Sequence, residues 1–415
     1  MVDWQVIPGS ITAPKGFSAA GIAAGLKPSG ALDLALIVSE TEAIAAGTFT
    51  TSRVRAACVD LCREQLLQKA SARAILCNSG QANAATGTAG WEDARESARL
   101  VGEALQVRPE QVFLASTGVI GERIAMDAMR TGVPQVVAAL ASVADTDEMT
   151  ARAIMTTDLV PKFIALETTI GDRPVRIGGI AKGSGMICPN MATMLGFLTC
   201  DAAVAPQLWQ EMLSRAVDRS FNQITVDGDT STNDTVLALA NGQSRTAAIV
   251  EAGPEAQRLE GMLTAACQHL AKAIARDGEG ATCLLAVAVS GAPSDADARQ
   301  VAKTIAGSSL VKAAIFGRDP NWGRLAMAAG RAGVAFEQEQ LRIQLGEFVL
   351  MAAGQPQPFD RAAASAYLER AATGQYLQED TVAIAVDLGN GSGAGIAWGC
   401  DLSYDYVKIN AEYTT

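Results

Sequence analysis

Short apolar runs and amphipathic stretches alternate along the whole chain of 415 residues. Runs rich in Leu, Ile, Val and Phe predict β-strands, and they cover Ala31–Val38, Arg73–Cys77, Gln111–Ala115, Lys162–Thr168, Pro174–Ile180 and Met194–Cys200. Apolar residues that recur at i, i+3 and i+4 predict helices, and they cover Trp91–Leu105, Arg123–Leu140, Gln207–Arg219 and Glu255–Ala275. We therefore expect an α/β or α+β fold.

The pattern starts afresh near residue 290. Pro293-Ser294-Asp295 has the composition of a helix start, and the helix should run to Gly307. We therefore expect a first domain over residues 1–290 and a smaller α/β domain over residues 291–415.

The net negative charge restricts the kinds of molecule that the protein can bind. The chain has 33 Lys+Arg against 44 Asp+Glu, a formal net charge of −11, and no basic run that could neutralise nucleic-acid phosphates. Apolar residues make up 49% and charged residues 19%, which is typical of a globular protein. Met1–Ser10 lacks the features of a secretory signal, and no apolar stretch approaches the ~20 residues of a membrane span. The expectation is a cytoplasmic protein that binds neither membranes nor nucleic acid.

The chain has a single histidine, His269. It lies on the flank of the apolar stripe predicted for Glu255–Ala275, where a solvated or half-buried side chain is the ordinary interpretation. Multi-histidine metal sites are excluded, and the eight cysteines form no C-x-x-C pair. We expect no metal site, and proton transfers that use a carboxylate, a lysine or a backbone amine.

Six stretches are rich in glycine and polar residues where regular elements would not be. They are Asn78–Asn83, Ser116–Gly121, Lys182–Met186, Pro189–Leu195, Asp227–Asp234 and Gly317–Arg324. Each could be only a turn. Taken together, they are the places to look for a site.

Two familiar motifs fail on inspection. The Asp227 segment supplies oxygens like a calcium loop, but Thr232 occupies the position of the required glycine and Ala238 that of the required glutamate. Gly389–Gly395 resembles a dinucleotide loop, yet Ile396–Asp401 after it is strand-like and does not start a helix. We expect a close-packed bend there.

Thr193 stands at the mouth of a predicted buried strand, after a loop interrupted by proline. A threonine held in this way can attack the carbonyl of the preceding residue, so that an N-to-O acyl shift and ester hydrolysis cut the chain between Ala192 and Thr193. The new α-amine, with an ordinary pKa of about 7.7–8.0, is a base near neutral pH on the same residue as the hydroxyl. The other interpretation is an ordinary β-branched residue at a strand start.

The polar motifs together resemble the ornithine acetyltransferase family of arginine biosynthesis. The resemblance rests on segments that follow one another in order from about residue 10 to the end; they are Ser116–Gly118, Lys182–Met186, Pro189–Leu195, Thr225–Asp234, Gly317–Arg324 and Trp398–Thr415. It implies a layered α/β sandwich, similar in layering to N-terminal-nucleophile hydrolases, with the catalytic domain over residues 1–290. It also implies a precursor that cleaves itself into an α chain, 1–192, and a β chain, 193–415.

The resemblance further implies a ping-pong reaction in which N-acetylornithine acetylates Thr193 and glutamate takes the acetyl group. Thr117 and Gly118 correspond to the family's oxyanion donors. The substrate contacts carried over from the family are Thr156, Lys182, Thr193, Glu279, Asn410 and Thr415. Lys182 suits a carboxylate and Glu279 an ammonium group, whereas Thr157 could replace Thr156.

The glycines on both sides of Glu279 indicate a close approach of another segment, because glycine costs backbone entropy. The strand-like Tyr404–Asn410 should hold the chain end in the site. The resemblance implies a dimer of cleaved αβ protomers and no cofactor, while acetyl-CoA as a second acetyl donor remains open. Two alternatives also remain: an amidase or aminopeptidase with water as acceptor, and a nucleotide-binding protein built on Gly389–Gly395.

Overall fold

The computed structural model describes residues 3–141, 146–188, 194–389 and 391–412. The strands of this part of the chain are β1 Trp4–Val6, β2 Phe17–Ile22, β3 Leu34–Phe49, β4 Ser71–Gln81, β5 Val112–Val119, β6 Lys162–Ile170, β7 Arg173–Lys182, β8 Leu195–Cys200, β9 Thr235–Ala240, β10 Leu284–Ala292, β11 Arg342–Leu345, β12 Phe348–Ala352, β13 Gln355–Pro356, β14 Thr381–Asp387 and β15 Gly393–Cys400. The helices are α1 Ala57–Gln68, α2 Gly87–Leu105, α3 Met126–Ala139, α4 Thr146–Ala153, α5 Pro206–Asp218, α6 Pro254–Arg276, α7 Asp295–Ala306, α8 Ser309–Phe316, α9 Trp322–Gly330, α10 Arg361–Thr373 and α11 Tyr404–Glu412.

The larger sheet has the strand order β1-β6-β7-β8-β9-β3-β4-β5, and β2 pairs with β3. Within it, β4–β5 and β8–β9 are parallel pairs and the other pairs are antiparallel. One apolar core joins this sheet to α1–α4, and a second joins it to α5 and α6. The predicted layered α/β fold is therefore confirmed.

The second sheet has the order β13-β12-β11-β14-β10-β15. Helices α7, α8, α9 and α10 contribute to a third apolar core beneath it. Strand β10 pairs with β14 in parallel and with β15 antiparallel, so residue 290 falls inside the sheet. The division into domains at that residue stays a prediction.

Several local predictions are confirmed. The apolar stripe of α6, which includes Leu259, Leu263 and Leu270, is fully buried, while His269 on its flank is exposed. Every residue of β8 is buried. Helix α7 begins after Ser294, whose hydroxyl accepts a hydrogen bond from the Asp297 N–H at 3.1 Å.

The close packing predicted before Ile396 is confirmed, although residues 393–395 belong to β15 and not to a bend. A Cβ at Gly395 would lie 2.6 Å from the Arg299 nitrogen, so β15 packs directly against the backbone of α7. The segment from Ile396 to Cys400 is strand, as expected. The glycines are explained by this close packing.

The predicted strand over Tyr404–Asn410 is wrong, because this segment belongs to α11. Aromatic and β-branched residues favour a strand only where a neighbouring strand can pair with them, whereas a helix satisfies its backbone hydrogen bonds internally. The Ser403 hydroxyl accepts from the Asp405 N–H at 3.2 Å and donates to the Gly280 carbonyl at 2.6 Å. Helix α11 buries none of its described residues.

Candidate active site

A cavity of about 160 Å³ opens where the ends of several strands of the larger sheet meet α11. The predicted site residues that line it are Thr117, Gly118, Thr156, Lys182, Glu279 and Asn410. These residues come from five separate segments of the chain. Three further predicted residues, Ala192, Thr193 and Thr415, lie outside the described residues, but Met194 and Leu195 line the cavity.

Thr117 and Gly118 lie near the end of β5, which runs parallel to β4. Gly118 has a φ of +131°, and a Cβ there would lie 2.2 Å from the Gly80 carbonyl oxygen. Only glycine fits this conformation and this spacing. The close packing of β4 against β5 therefore requires a glycine directly after Thr117.

Lys182 is the last residue of β7, and its side chain is 10% exposed. Its ammonium group donates to the Thr156 hydroxyl at 2.7 Å and lies 3.3 Å from the Thr117 hydroxyl. Because an ammonium group only donates, both hydroxyl groups act as acceptors here and keep their own protons available. Thr157 also lines the cavity, but Thr156 is the threonine that contacts Lys182.

A buried carboxylate network supports Lys182. The Lys182 ammonium is 4.0 Å from Asp158 Oδ2, while Asp158 Oδ1 accepts from the Gly183 N–H and from the Lys162 ammonium, both at 2.7 Å. Burial alone would raise the pKa of Asp158, but the charges of Lys162 and Lys182 hold it below its ordinary value. Lys162 also pairs with Asp277 at 2.7 Å, and its side chain is fully buried.

Glu279 follows α6 and is 8% exposed. Its Oε2 accepts a hydrogen bond of 2.7 Å from the Asn410 amide on α11. The close approach predicted from the flanking glycines is confirmed: Gly280 has a φ of +71°, and a Cβ there would lie 2.7 Å from both the Ser403 hydroxyl and the Tyr406 nitrogen. Helix α11 could not dock against a larger residue at this position.

The segment from Ser231 to Asp234 forms another side of the cavity. The Asn233 amide donates to the Ala82 carbonyl at 2.6 Å and to the Ser116 carbonyl at 2.7 Å, so it ties this segment to the ends of β4 and β5. Asp234 is 2% exposed. The described residues contain no cluster of three or more His, Cys, Asp or Glu side chains arranged for a metal ion.

Sequence reasoning missed four acidic or basic residues, namely Asp158, Lys162, Asp277 and Asp234. Asp234 belongs to a segment that its composition had marked, although without a role. Lys162 and Asp277 had no local signal, because their contact joins residues 115 positions apart. Asp158 lies only four positions before Lys162, but no motif marked that pair.

The sequence model of the ArgJ family matches residues 18–415. The chain belongs to the ArgJ family. A relative from Nostoc sp. (strain PCC 7120), "Arginine biosynthesis bifunctional protein ArgJ 1", is 72% identical over 415 residues, which cover 100% of both chains. The corresponding ArgJ protein from Synechocystis sp. (strain PCC 6803) is 70% identical, again over 100% of both chains.

A crystal structure of the ArgJ protein from Bacillus halodurans is 46% identical to this chain, with a TM-score of 0.50. The match covers 53% of this chain and 100% of that chain. Membership of the ArgJ family confirms the resemblance to an enzyme family of arginine biosynthesis. No helix among the described residues is long and apolar enough to cross a membrane.

Proposed function

We propose that this chain is a glutamate N-acetyltransferase that moves an acetyl group from N2-acetyl-L-ornithine to L-glutamate. The observation that carries the proposal is the single cavity that contains Thr117, Gly118, Lys182, Glu279 and Asn410 beside the first residues of β8. Two small amino-acid substrates need a cation for their carboxylate, and ornithine also needs an anion for its ammonium group. Lys182 and Glu279 supply these charges.

Self-cleavage comes first in the proposed sequence. The Thr193 hydroxyl attacks the Ala192 carbonyl, the acyl group moves from nitrogen to oxygen, and water hydrolyses the ester. The products are residues 1–192 and 193–415, the second with 415 − 192 = 223 residues. The proposed second fragment is 54% of the chain, 223 of 415 residues. The chain in the Bacillus halodurans structure matches over its whole length and covers 53% of this chain, which is consistent with a fragment of that size.

Acetyl transfer then uses the same threonine. Its α-amine takes the hydroxyl proton as the oxygen attacks the acetyl carbonyl of N-acetylornithine, and it returns the proton to the departing amine of ornithine. The amino group of glutamate next attacks the acetyl-Thr193 ester and leaves as N-acetylglutamate. The only histidine, His269, is not among the described residues that line the cavity, which agrees with a mechanism without imidazole.

Thr117 and Gly118 are the proposed donors to the negatively charged oxygen of both tetrahedral intermediates. Because the Thr117 hydroxyl lies 3.3 Å from the Lys182 ammonium as an acceptor, its proton can point to that oxygen. One donor of this kind is worth roughly 10²–10³ in rate. The sequence of steps needs no cofactor.

The relatives are called bifunctional, and the second activity that we propose is acetyl transfer from acetyl-CoA to glutamate. We also propose that cleaved αβ protomers pair as dimers, with a mass near 2 × 43.0 = 86 kDa. A thiol-release assay with acetyl-CoA and glutamate tests the second activity. Light scattering of the purified protein tests the dimer.

Intact mass spectrometry tests the main proposal, because it reports cleavage, its position and acetylation together. The wild-type chain should separate into 1–192 and 193–415, and the second fragment should gain one acetyl group on mixing with N-acetylornithine and lose it on addition of glutamate. Thr193→Ala should stay uncleaved and unacetylated, whereas Thr193→Ser keeps a hydroxyl and should retain cleavage. Loss of the acetyl group at the same rate without glutamate would instead identify a hydrolase.

A further inference from the structure

Asp234 lines the cavity, yet the proposed acetyl transfer gives it no task. The residue is 2% exposed, and its Oδ2 atom is fully buried without a hydrogen-bond partner among the residues that the structure describes. A buried carboxyl oxygen without a partner costs free energy, which a purely structural role would not require. Because Asp234 also lines the cavity, this oxygen can meet a group that reacts there.

The sheet sets this carboxyl group beside the residue that follows Thr193. Strands β8 and β9 are parallel, with Leu195 opposite Thr235, and the Thr235 N–H donates to the Met194 carbonyl at 3.0 Å. Asp234 is therefore the neighbour of Met194 across the pair. Thr193 is joined to Met194 by one peptide bond, so the nitrogen that leaves during self-cleavage belongs to the adjoining residue.

The surroundings of Asp234 favour its neutral form. Burial raises the pKa of Asp234 well above its ordinary value, and Ser231, Lys182 and the Met194 backbone offset this only in part. Lys182 and Glu279 are the charged side chains that share the described cavity lining with Asp234. A neutral carboxyl group has an O–H that can donate a proton, which an ionised one lacks.

We propose that Asp234 is the acid that protonates the departing nitrogen of Thr193 when the chain cleaves itself, an inference that rests on the proposed self-cleavage. The Thr193 oxygen forms a bond to the Ala192 carbonyl carbon, and the bond from that carbon to the Thr193 nitrogen then breaks. Asp234 gives its proton to this nitrogen and takes up the proton that the Thr193 hydroxyl has lost. The result is an ester, a free α-amine and a carboxyl group restored to its neutral form.

The test follows cleavage of the full chain by intact mass spectrometry after cell-free synthesis. Asp234→Asn has the shape of the neutral carboxyl group but no acidic proton, and it should cleave roughly 10²- to 10⁴-fold more slowly, the usual effect of a general acid. Asp234→Glu should restore part of the rate. The matched control, Asp229→Asn, alters an exposed acid of the same loop and should cleave like the wild type.

The pH profile separates an acid from a merely structural residue. The wild-type cleavage rate should fall as the pH rises through the raised pKa of Asp234, whereas the residual rate of Asp234→Asn should not show this decline. Circular dichroism shows whether each variant has folded. If Asp234→Asn has not folded, the pH profile of wild-type cleavage and the cleavage rate of Asp234→Glu decide whether Asp234 is the acid.

The outcomes also separate this inference from the proposed function. A wild-type chain that stays whole refutes the proposed self-cleavage itself. Cleavage of the wild type at Thr193 together with equally fast cleavage of folded Asp234→Asn, or a wild-type rate that does not fall at high pH, overturns only the role of Asp234.

Discussion

The two charged sides of the cavity are built in opposite ways. The lysine wall lines the cavity with Thr156 and Lys182. Behind it, Asp158 and Lys162 form an ion pair whose side chains are fully buried. The glutamate wall lines the cavity with Glu279 and Asn410, and it depends on α11, a helix that buries none of its described residues. One wall holds its charge by a buried ion network, and the other holds it by a part-buried hydrogen bond to a helix on the surface.

The difference matters because buried ions and exposed contacts have different energetics. Removing one partner from a buried ion pair leaves an uncompensated charge and is strongly destabilising, so the lysine wall should be rigid. The hydrogen bond between Asn410 and Glu279 is only part-buried and contributes far less to the free energy of folding. We therefore expect changes at the buried ions Asp158 and Lys162 to alter stability, and changes at Glu279 and Asn410 to alter substrate binding.

Lys162→Met should have the largest effect. The substitution leaves Asp158 and Asp277 buried near each other without their shared cation, and it should lower the free energy of unfolding by about 3–5 kcal/mol. Urea unfolding near neutral pH measures this change. Lys408→Met, on the exposed surface of α11, is the matched control and should change stability by less than ~0.5 kcal/mol. Equal effects of the two substitutions would contradict the contrast between the walls.

Glu279→Gln should leave stability nearly unchanged but impair the first half-reaction. The substitution removes the charge that we assign to the ornithine ammonium, and loss of a charge-assisted hydrogen bond corresponds to roughly a 10- to 100-fold lower kcat/KM for N-acetylornithine. Stopped-flow acetylation measures it. The rate with glutamate should change much less, because its side chain carries no ammonium group.

Glu412→Gln alters an exposed acid on α11 and serves as the control for Glu279→Gln. The assignment of Glu279 to the ammonium group fails if both half-reactions slow equally in Glu279→Gln.

Asn410→Ala should have the smallest effect. It removes one hydrogen bond that orients Glu279, so KM for N-acetylornithine should rise roughly 3- to 10-fold while the melting temperature stays the same. Steady-state kinetics and a thermal melt measure the two quantities. Lys408→Ala on the same helix should leave both unchanged; a fall in melting temperature for Asn410→Ala alone would show that α11 contributes to folding.

Local patterns predicted much of the fold because local physics decides it. The stripe of α6 and the hydroxyl cap before α7 are properties of neighbouring residues, and both are present as expected. The strand prediction for Tyr404–Asn410 was wrong because no neighbouring strand pairs with this segment, which forms part of α11. The site residues Thr117, Lys182, Glu279 and Asn410 came from a family resemblance, and the structure brings them to one cavity.

By itself, the sequence determined the alternation of strands and helices, the net negative charge, the scarcity of histidine and the glycine positions that mark close contacts. Only the tertiary structure decided that Lys162 lies between Asp158 and Asp277, and that Asp234 lies beside Met194. The physical reason is that these arrangements depend on strand pairing and helix docking between distant segments. Strand pairing and helix docking between distant segments produce no periodic pattern in the sequence that could predict them.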